Sequence, residues 1–185
     1  MILHRCFAWN DRAGDGDPDS PSWFPRIYQG EGRHDQPDAY GCLYLSASPL
    51  STVVEQLARF RGQRLLPSLL RRRSLPLALA DLELDDEAEL VDLDDPVVLR
   101  RERLRPSLVA TRHRHATQAQ AFALFDQHPT AAGLRWWSMF EATWINVTLF
   151  DRAASRLRVG SVRTLTIADP LVGEAADFFG LRALP

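Results

Sequence analysis

Lysine is absent from this sequence: all 22 basic residues among its 185 are arginine, set against 24 acids for a formal charge of −2. That balance, with an isoelectric point of about 6.2, excludes a global attraction to nucleic acid or an anionic membrane, so contact with either would have to be local. The simplest account of the missing lysine is a GC-rich coding sequence, with arginine-based recognition of anions as the secondary one. Cysteine is scarce. Cys6 and Cys42 are too few for a disulfide framework, and both stand in apolar runs where a free thiol is an ordinary buried residue, which fits a reducing compartment. No apolar stretch approaches the roughly 18 residues of a membrane-spanning helix. The N-terminus, MILHRCFAW, has neither the basic start nor the long apolar segment of a secretory signal, so a cytoplasmic protein is expected. Also missing are a Gly-x-Gly-x-x-Gly fingerprint and a P-loop, so neither common nucleotide cradle is indicated. The histidines His4, His34, His113, His115 and His128 lack the cysteine and acid spacing of a zinc site, and the acidic loop of residues 10–22 lacks that of a calcium loop. No metal is expected, and His113 and His115 are candidates only for lining a cleft.

What the chain does have is 45% hydrophobic residues, nine Phe and five Trp, ample for the core of one domain spanning residues 1–185. Apolar runs bounded by turn residues predict strands over 2–9, 42–46, 75–84 and 157–167, with the aromatic stretch 133–150 carrying a strand into Ser138 and then a second buried strand. Residues 24–28 read as a short strand or turn. Helical spacing predicts helices over 65–73, 96–105, 117–126 and 171–179. Residues 85–95 hold seven acids in eleven positions, most of which must face water. Strands and short helices are intermixed without a regular βαβ repeat, which makes the fold class α+β.

The chemistry concentrates between Gly32 and Glu55, in GRHDQPDAYGCLYLSASPLSTVVE. Tyr40-Gly41 turns into the strand Cys42-Leu43-Tyr44-Leu45-Ser46. Ser48-Pro49 then supplies an N-cap hydroxyl and a first-turn proline for a helix whose apolar stripe is Leu50, Val53, Val54, Leu57 and Phe60, closed by Gly62. Glu55 falls off the centre of that stripe, on a flank with the small residues Ser51, Ala58 and Gly62 that leaves room beside a carboxylate. Before the strand, Gly30-Glu31-Gly32 permits close backbone approach to a ligand beside Arg33.

These residues resemble the RES domain, the toxin of Xre-RES toxin–antitoxin pairs, named for an arginine, a glutamate and a serine. The family's glycine-arginine turn matches Gly32-Arg33, its strand tyrosine matches Tyr44 in LYLSAS, and its helix glutamate matches Glu55 in STVVEQ. Its late serine, ahead of an Asn-x-x-Leu-Phe segment, matches Ser138 with Asn146 to Phe150 following. The similarity runs from His4-Arg5 to Gly180-Leu181. Two departures stand out: His34-Asp35 replaces the family's usual aromatic and asparagine, and Trp136-Trp137 stands where a tyrosine precedes the serine.

The resemblance implies a single domain with an ADP-ribosyltransferase-like mixed sheet core, and an enzyme that degrades NAD⁺ at the nicotinamide–ribose bond by hydrolysis or phosphorolysis. It implies catalytic roles for Glu55, Arg33 and Ser138 and NAD⁺ contacts from Arg33, Tyr44, Ser138 and His34, with Arg5 and Tyr28 behind them. A buried carboxylate at Glu55 would face the oxocarbenium-like sugar, the Arg33 fork the pyrophosphate, Tyr44 the nicotinamide, and Ser138 the ribose or carboxamide. The implied partner is an Xre-type helix-turn-helix antitoxin, with a homodimer within that complex. Rival readings are an ADP-ribosyltransferase acting on a macromolecule and a non-catalytic nucleotide- or partner-binding module.

Overall fold

Three helices start the same way in the computed structural model, which describes residues 1–183. Ser48, Asp95 and Asp169 stand in extended backbone, each side chain accepts an N–H two or three residues on, and each is followed by proline. An N-cap oxygen satisfies a donor the first turn leaves orphaned, and proline at the first helical position has no such donor to lose. In chain order the elements are β1 (Ile2–Ala8), β2 (Cys42–Ser46), α1 (Pro49–Leu57), β3 (Arg64–Leu65), β4 (Arg71–Arg72), β5 (Leu75–Leu84) and β6 (Leu90–Asp92). They continue with α2 (Pro96–Arg101), α3 (Arg114–Gln127), β7 (Gly133–Trp137), β8 (Ile145–Phe150), β9 (Leu157–Thr164), α4 (Pro170–Phe179) and β10 (Arg182–Ala183). The class is α+β, as expected. The chain divides into two compact units, each described by itself.

The first unit comprises Met1, Phe24–Leu45 and Leu84–Leu157. Its strands run in the order β2-β8-β7-β6, with β6 parallel to β7 and β7 antiparallel to β8, so the sheet is mixed. Glycine is required at position 133, because a Cβ there would overlap the backbone of Thr148 and Leu149 across the pair. Tyr40, Leu134, Trp136 and Phe150 are core residues beside Val91, Leu99 and Leu124. The rings of Tyr40, Phe125 and Phe150 meet at 4.4 to 5.0 Å. Arg152 lies 3.6 Å over Phe125 and donates to the carbonyls of Phe125, His128 and Pro129, so its cation sits at the negative end of α3.

Two expectations for this unit are corrected, the start of α3 and the end of α2. Strand β6 lies inside the acidic stretch, whose acids mostly face water as expected, because Val91 is buried in the core and pairs with Leu134. Helix α2 stops at Arg101 instead of 105: Arg103 takes left-handed backbone at φ 55° and Leu104 N–H returns to Leu99 O at 2.8 Å. That is a helix stop of the kind glycine usually provides, sealed by the two leucines. Helix α3 begins three residues earlier than expected, while residues 26–28 form a 3-10 turn, one of the two forms expected there.

The second unit comprises Ile2–Trp23, Ser46–Glu83 and the chain from Arg158 onward. Strands β4, β5 and β1 are antiparallel neighbours, with Ile2 opposite Glu83 and Ala8 opposite Leu77, and β9 lies beside β5. Helix α1 packs on β1 and α4 through buried Val53, Val54 and Leu57. Of the helix expected over 65–73 only a 3-10 turn at Pro67–Leu70 forms. Instead Arg71-Arg72 pairs with Leu75-Pro76 through a two-residue turn in which Arg73 and Ser74 have φ of 50° and 66°. Positive φ at both central residues suits the twist of a tight hairpin, and the chain adopts it here without asparagine or glycine. Strand β9 ends at Thr164, three residues sooner than expected.

Candidate functional site

In the first unit, residues 30–35 fold around one carboxylate. Asp35 Oδ2 accepts the N–H groups of Gly30 at 2.8 Å and Gly32 at 2.7 Å, while Oδ1 accepts the Tyr44 hydroxyl at 2.6 Å. Glycine is dictated at position 32, since a Cβ there would stand 2.5 Å from both Asp35 Oδ1 and the Tyr44 oxygen. From the other side α3 latches the loop. Gln118 Nε2 donates to the carbonyls of Gly30 and Gly32 at 2.9 Å each, and Thr117 Oγ1 donates to Arg33 O at 2.6 Å.

Arg33 is therefore presented from a fixed backbone. Its side chain is buried, with 4% exposed. Nη1 donates to Val109 O at 3.2 Å and to Thr111 O, the guanidinium carbon lies 4.9 Å over the Trp136 ring, and Nη2 is 3.6 Å from Met139 Sδ. One edge of the fork is thus engaged with protein carbonyls, a structural role that sequence reasoning did not assign. Met139 follows Ser138, the first residue after β7. Ser138 is buried, donates its N–H to Trp144 O at 2.8 Å and accepts Phe140 N–H on Oγ at 3.1 Å.

His34 is buried beside Arg33. Its N–H donates to the Tyr44 oxygen, its carbonyl accepts the Tyr40 hydroxyl, both at 2.9 Å, and its ring stacks toward Tyr44. Burial, reinforced by Asp35 and Cys42, pushes the Tyr44 phenol well above its ordinary range, so it remains a protonated donor to Asp35. The His34 imidazole moves well below its ordinary 6.5, first by burial and then by Arg33 and Arg114. The unfolded chain takes up that proton below about pH 6.5 and the folded chain does not. His34's contribution to stability is accordingly complete above that pH and is lost as the pH falls. Urea unfolding from pH 7 down to pH 5 is expected to show stability falling by up to about 1.4 kcal/mol per pH unit from this group. His34→Gln is expected to flatten that slope; an unchanged slope in the variant would mean that folded His34 is protonated like a free histidine.

The remaining candidates make no hydrogen bond to this loop's Asp35 carboxylate. Glu55 belongs to the second unit, on α1, and is exposed where a buried carboxylate was expected. Its flank is divided: Ser51 is buried, Ala58 half-buried and Gly62 exposed. Arg5, also in the second unit, is buried on β1 with Nη1 donating to the carbonyls of Ser20 and Pro21; burial lowers its pKa to about 9. Tyr28 is exposed on its 3-10 turn, and His113 and His115 are exposed at the start of α3. Both cysteines are free and buried. Among the described residues no group of three or more His, Cys, Asp or Glu is placed to hold a metal ion, and no helix is long and apolar enough to cross a membrane.

Asp35, Thr117, Gln118 and Thr148 are the site residues that sequence reasoning passed over. For Thr148 a signal existed: it is a hydroxyl within INVTLF, a run that reads as buried, and a buried hydroxyl needs partners. The comparisons bear on the arrangement as a whole. The family model described as the RES domain matches residues 3–168. A crystal structure of the M. tuberculosis MbcT–MbcA toxin–antitoxin complex is similar in fold, with a TM-score of 0.63 and 17% identity over 98% of this chain and 88% of that one. A search of curated protein sequences gives no significant match. With the family pattern matched over nearly all of its length and Gly32-Arg33 and Tyr44 joined through one loop, this chain belongs to the RES domain family.

Proposed function

We propose that the protein is the toxin of a toxin–antitoxin pair and that it degrades NAD⁺ by breaking the bond between nicotinamide and ribose. The observation that carries this reading is the loop of residues 30–35, which fixes Arg33, His34 and Tyr44 in a chain matched by the RES family. Nicotinamide leaves as a neutral base from a cationic ring, so no strong acid is required. The barrier lies in the oxocarbenium-like ribose, which a carboxylate stabilises. Glu55 takes that role, or that of orienting the attacking water or phosphate. The Arg33 guanidinium binds the pyrophosphate, Tyr44 packs on the nicotinamide, and Ser138 hydrogen-bonds the ribose or carboxamide.

An enzyme that removes a central cofactor endangers its own host, which calls for an inhibitor encoded beside it. The similar MbcT was crystallised with its antitoxin; for this chain the proposed partner is an Xre-type helix-turn-helix protein that supplies operator binding and blocks access of NAD⁺ to Arg33, with a homodimer of the toxin in the complex. The test is purified protein incubated with NAD⁺ in phosphate and phosphate-free buffer, alone and with the neighbouring gene's product. Chromatography is expected to show free nicotinamide, an ADP-ribose product whose form depends on phosphate, and suppression by the partner. Intact NAD⁺ in every buffer would overturn the reading.

A further inference from the structure

Thr148 is fully buried on β8, and its hydroxyl meets two ring nitrogens, Trp136 Nε1 at 3.1 Å and His34 Nδ1 at 2.8 Å. An indole N–H only donates, so one lone pair of Thr148 Oγ1 is taken. The single hydroxyl proton, sealed from water, needs an acceptor. Among the described residues that acceptor is His34 Nδ1. Were Nδ1 protonated, it would occupy the second lone pair and leave the buried hydroxyl proton pointing at nothing. The imidazole proton is therefore on Nε2, which makes no hydrogen bond among the described residues.

The ring is also held in place. Tyr44 lies nearly parallel to it at 6.4 Å and Trp136 edge-on at 5.1 Å, and the backbone of His34 is tied at both ends by tyrosine hydroxyls. The ionisable groups around it are Arg33 and Asp35 on its own loop, Arg114 on α3, the Tyr40 phenol, and the Cys42 thiol and protonated Tyr44 phenol on β2, while β7 and β8 present uncharged Trp136 and Thr148. We propose that Trp136 and Thr148 hold His34 as a neutral Nε2–H donor, and that this N–H recognises an uncharged acceptor oxygen of the bound dinucleotide, a carboxamide carbonyl or ribose hydroxyl. The second half rests on the NAD⁺ reading above. A neutral donor complements Arg33: the guanidinium takes the charged phosphates, and the imidazole selects an oxygen that carries no charge.

The experiment uses the full chain labelled with ¹⁵N-histidine. Two-bond proton–nitrogen spectra are expected to contain one imidazole in the Nε2–H tautomer, unchanged from pH 8 to pH 5, absent from His34→Gln and displaced by Thr148→Val. A carbocyclic NAD⁺ analogue that resists cleavage is expected to move its Nε2 resonance. In turnover assays His34→Phe is expected to raise KM for NAD⁺ about tenfold, the effect of one lost neutral hydrogen bond, and His34→Gln, with an amide N–H near the same place, to restore most of it. An Nδ1–H tautomer, or an imidazolium forming at ordinary pH, overturns the first half. An unmoved Nε2 resonance under an analogue that binds overturns the second. Failure of the analogue to bind overturns the NAD⁺ reading and the second half with it, while the tautomer is still read in the free protein.

Discussion

Glu55→Gln is expected to slow NAD⁺ breakdown about a thousandfold, equivalent to about 4 kcal/mol of transition-state stabilisation. The melting temperature is expected to move by no more than about 2 °C. The two effects separate because α1 is held by Val53, Val54 and Leu57, whereas Glu55 is exposed. Glutamine has the same shape and a similar helix preference. The substitution therefore removes the charge and keeps the side chain's shape and its hydrogen-bonding reach. Stabilising a sugar that becomes positive needs that charge, since an amide dipole offers the developing cation only a fraction of a carboxylate's field. Rates are read as nicotinamide release under saturating NAD⁺, beside a thermal melt of the same preparation. Wild-type turnover in the variant would remove Glu55 from the chemistry.

Where local rules act alone, the sequence reading of the fold holds to the residue. Strands β2 and β5 have the boundaries expected from apolar runs closed by turn residues. The Ser48-Pro49 and Asp95-Pro96 starts match because cap and proline act within one turn. The misses are tertiary. Leu90 and Val91 form a strand only because β7 lies beside them, and no pattern in an acidic stretch announces a parallel partner more than forty residues away. Arg103 ends α2 and Arg73-Ser74 closes a hairpin in backbone that sequence rules reserve for glycine and asparagine, so neither stop was visible.

The site was legible at its ends and opaque in its middle. Gly32, Arg33 and Tyr44 stand out because a glycine turn, a charged fork and a strand aromatic are recognisable singly. What joins them is not. Asp35 organises the loop through two N–H groups and the Tyr44 hydroxyl, and Thr148 reaches His34 across 114 positions of sequence. Such partners follow from the requirement that buried polar groups be satisfied, which a sequence states only as a demand without naming who meets it.

Arg33→Lys is expected to lower kcat/KM for NAD⁺ about a hundredfold, close to 3 kcal/mol, and to destabilise the protein by about 2 kcal/mol, some 6 °C in melting temperature. Both losses come from geometry, because the charge is kept. The guanidinium reaches the carbonyls of Val109 and Thr111 with one nitrogen, touches Met139 with another and lies flat over Trp136. An ammonium on a flexible stem can keep one carbonyl but not the stacked plane or the two-pronged grip on a pyrophosphate. A buried lysine is also the costlier cation to desolvate, since its charge is concentrated on one nitrogen. Assays run well below the variant's melting temperature separate the two roles. If stability falls while KM and kcat stay at wild-type values, Arg33 is a structural pin of its loop and the phosphate contact passes to Arg5, the buried arginine of β1. If both fall, the residue that anchors the loop also reads the ligand, and Arg33→Met is expected to lose activity further while recovering part of the stability, because methionine needs neither carbonyl nor water.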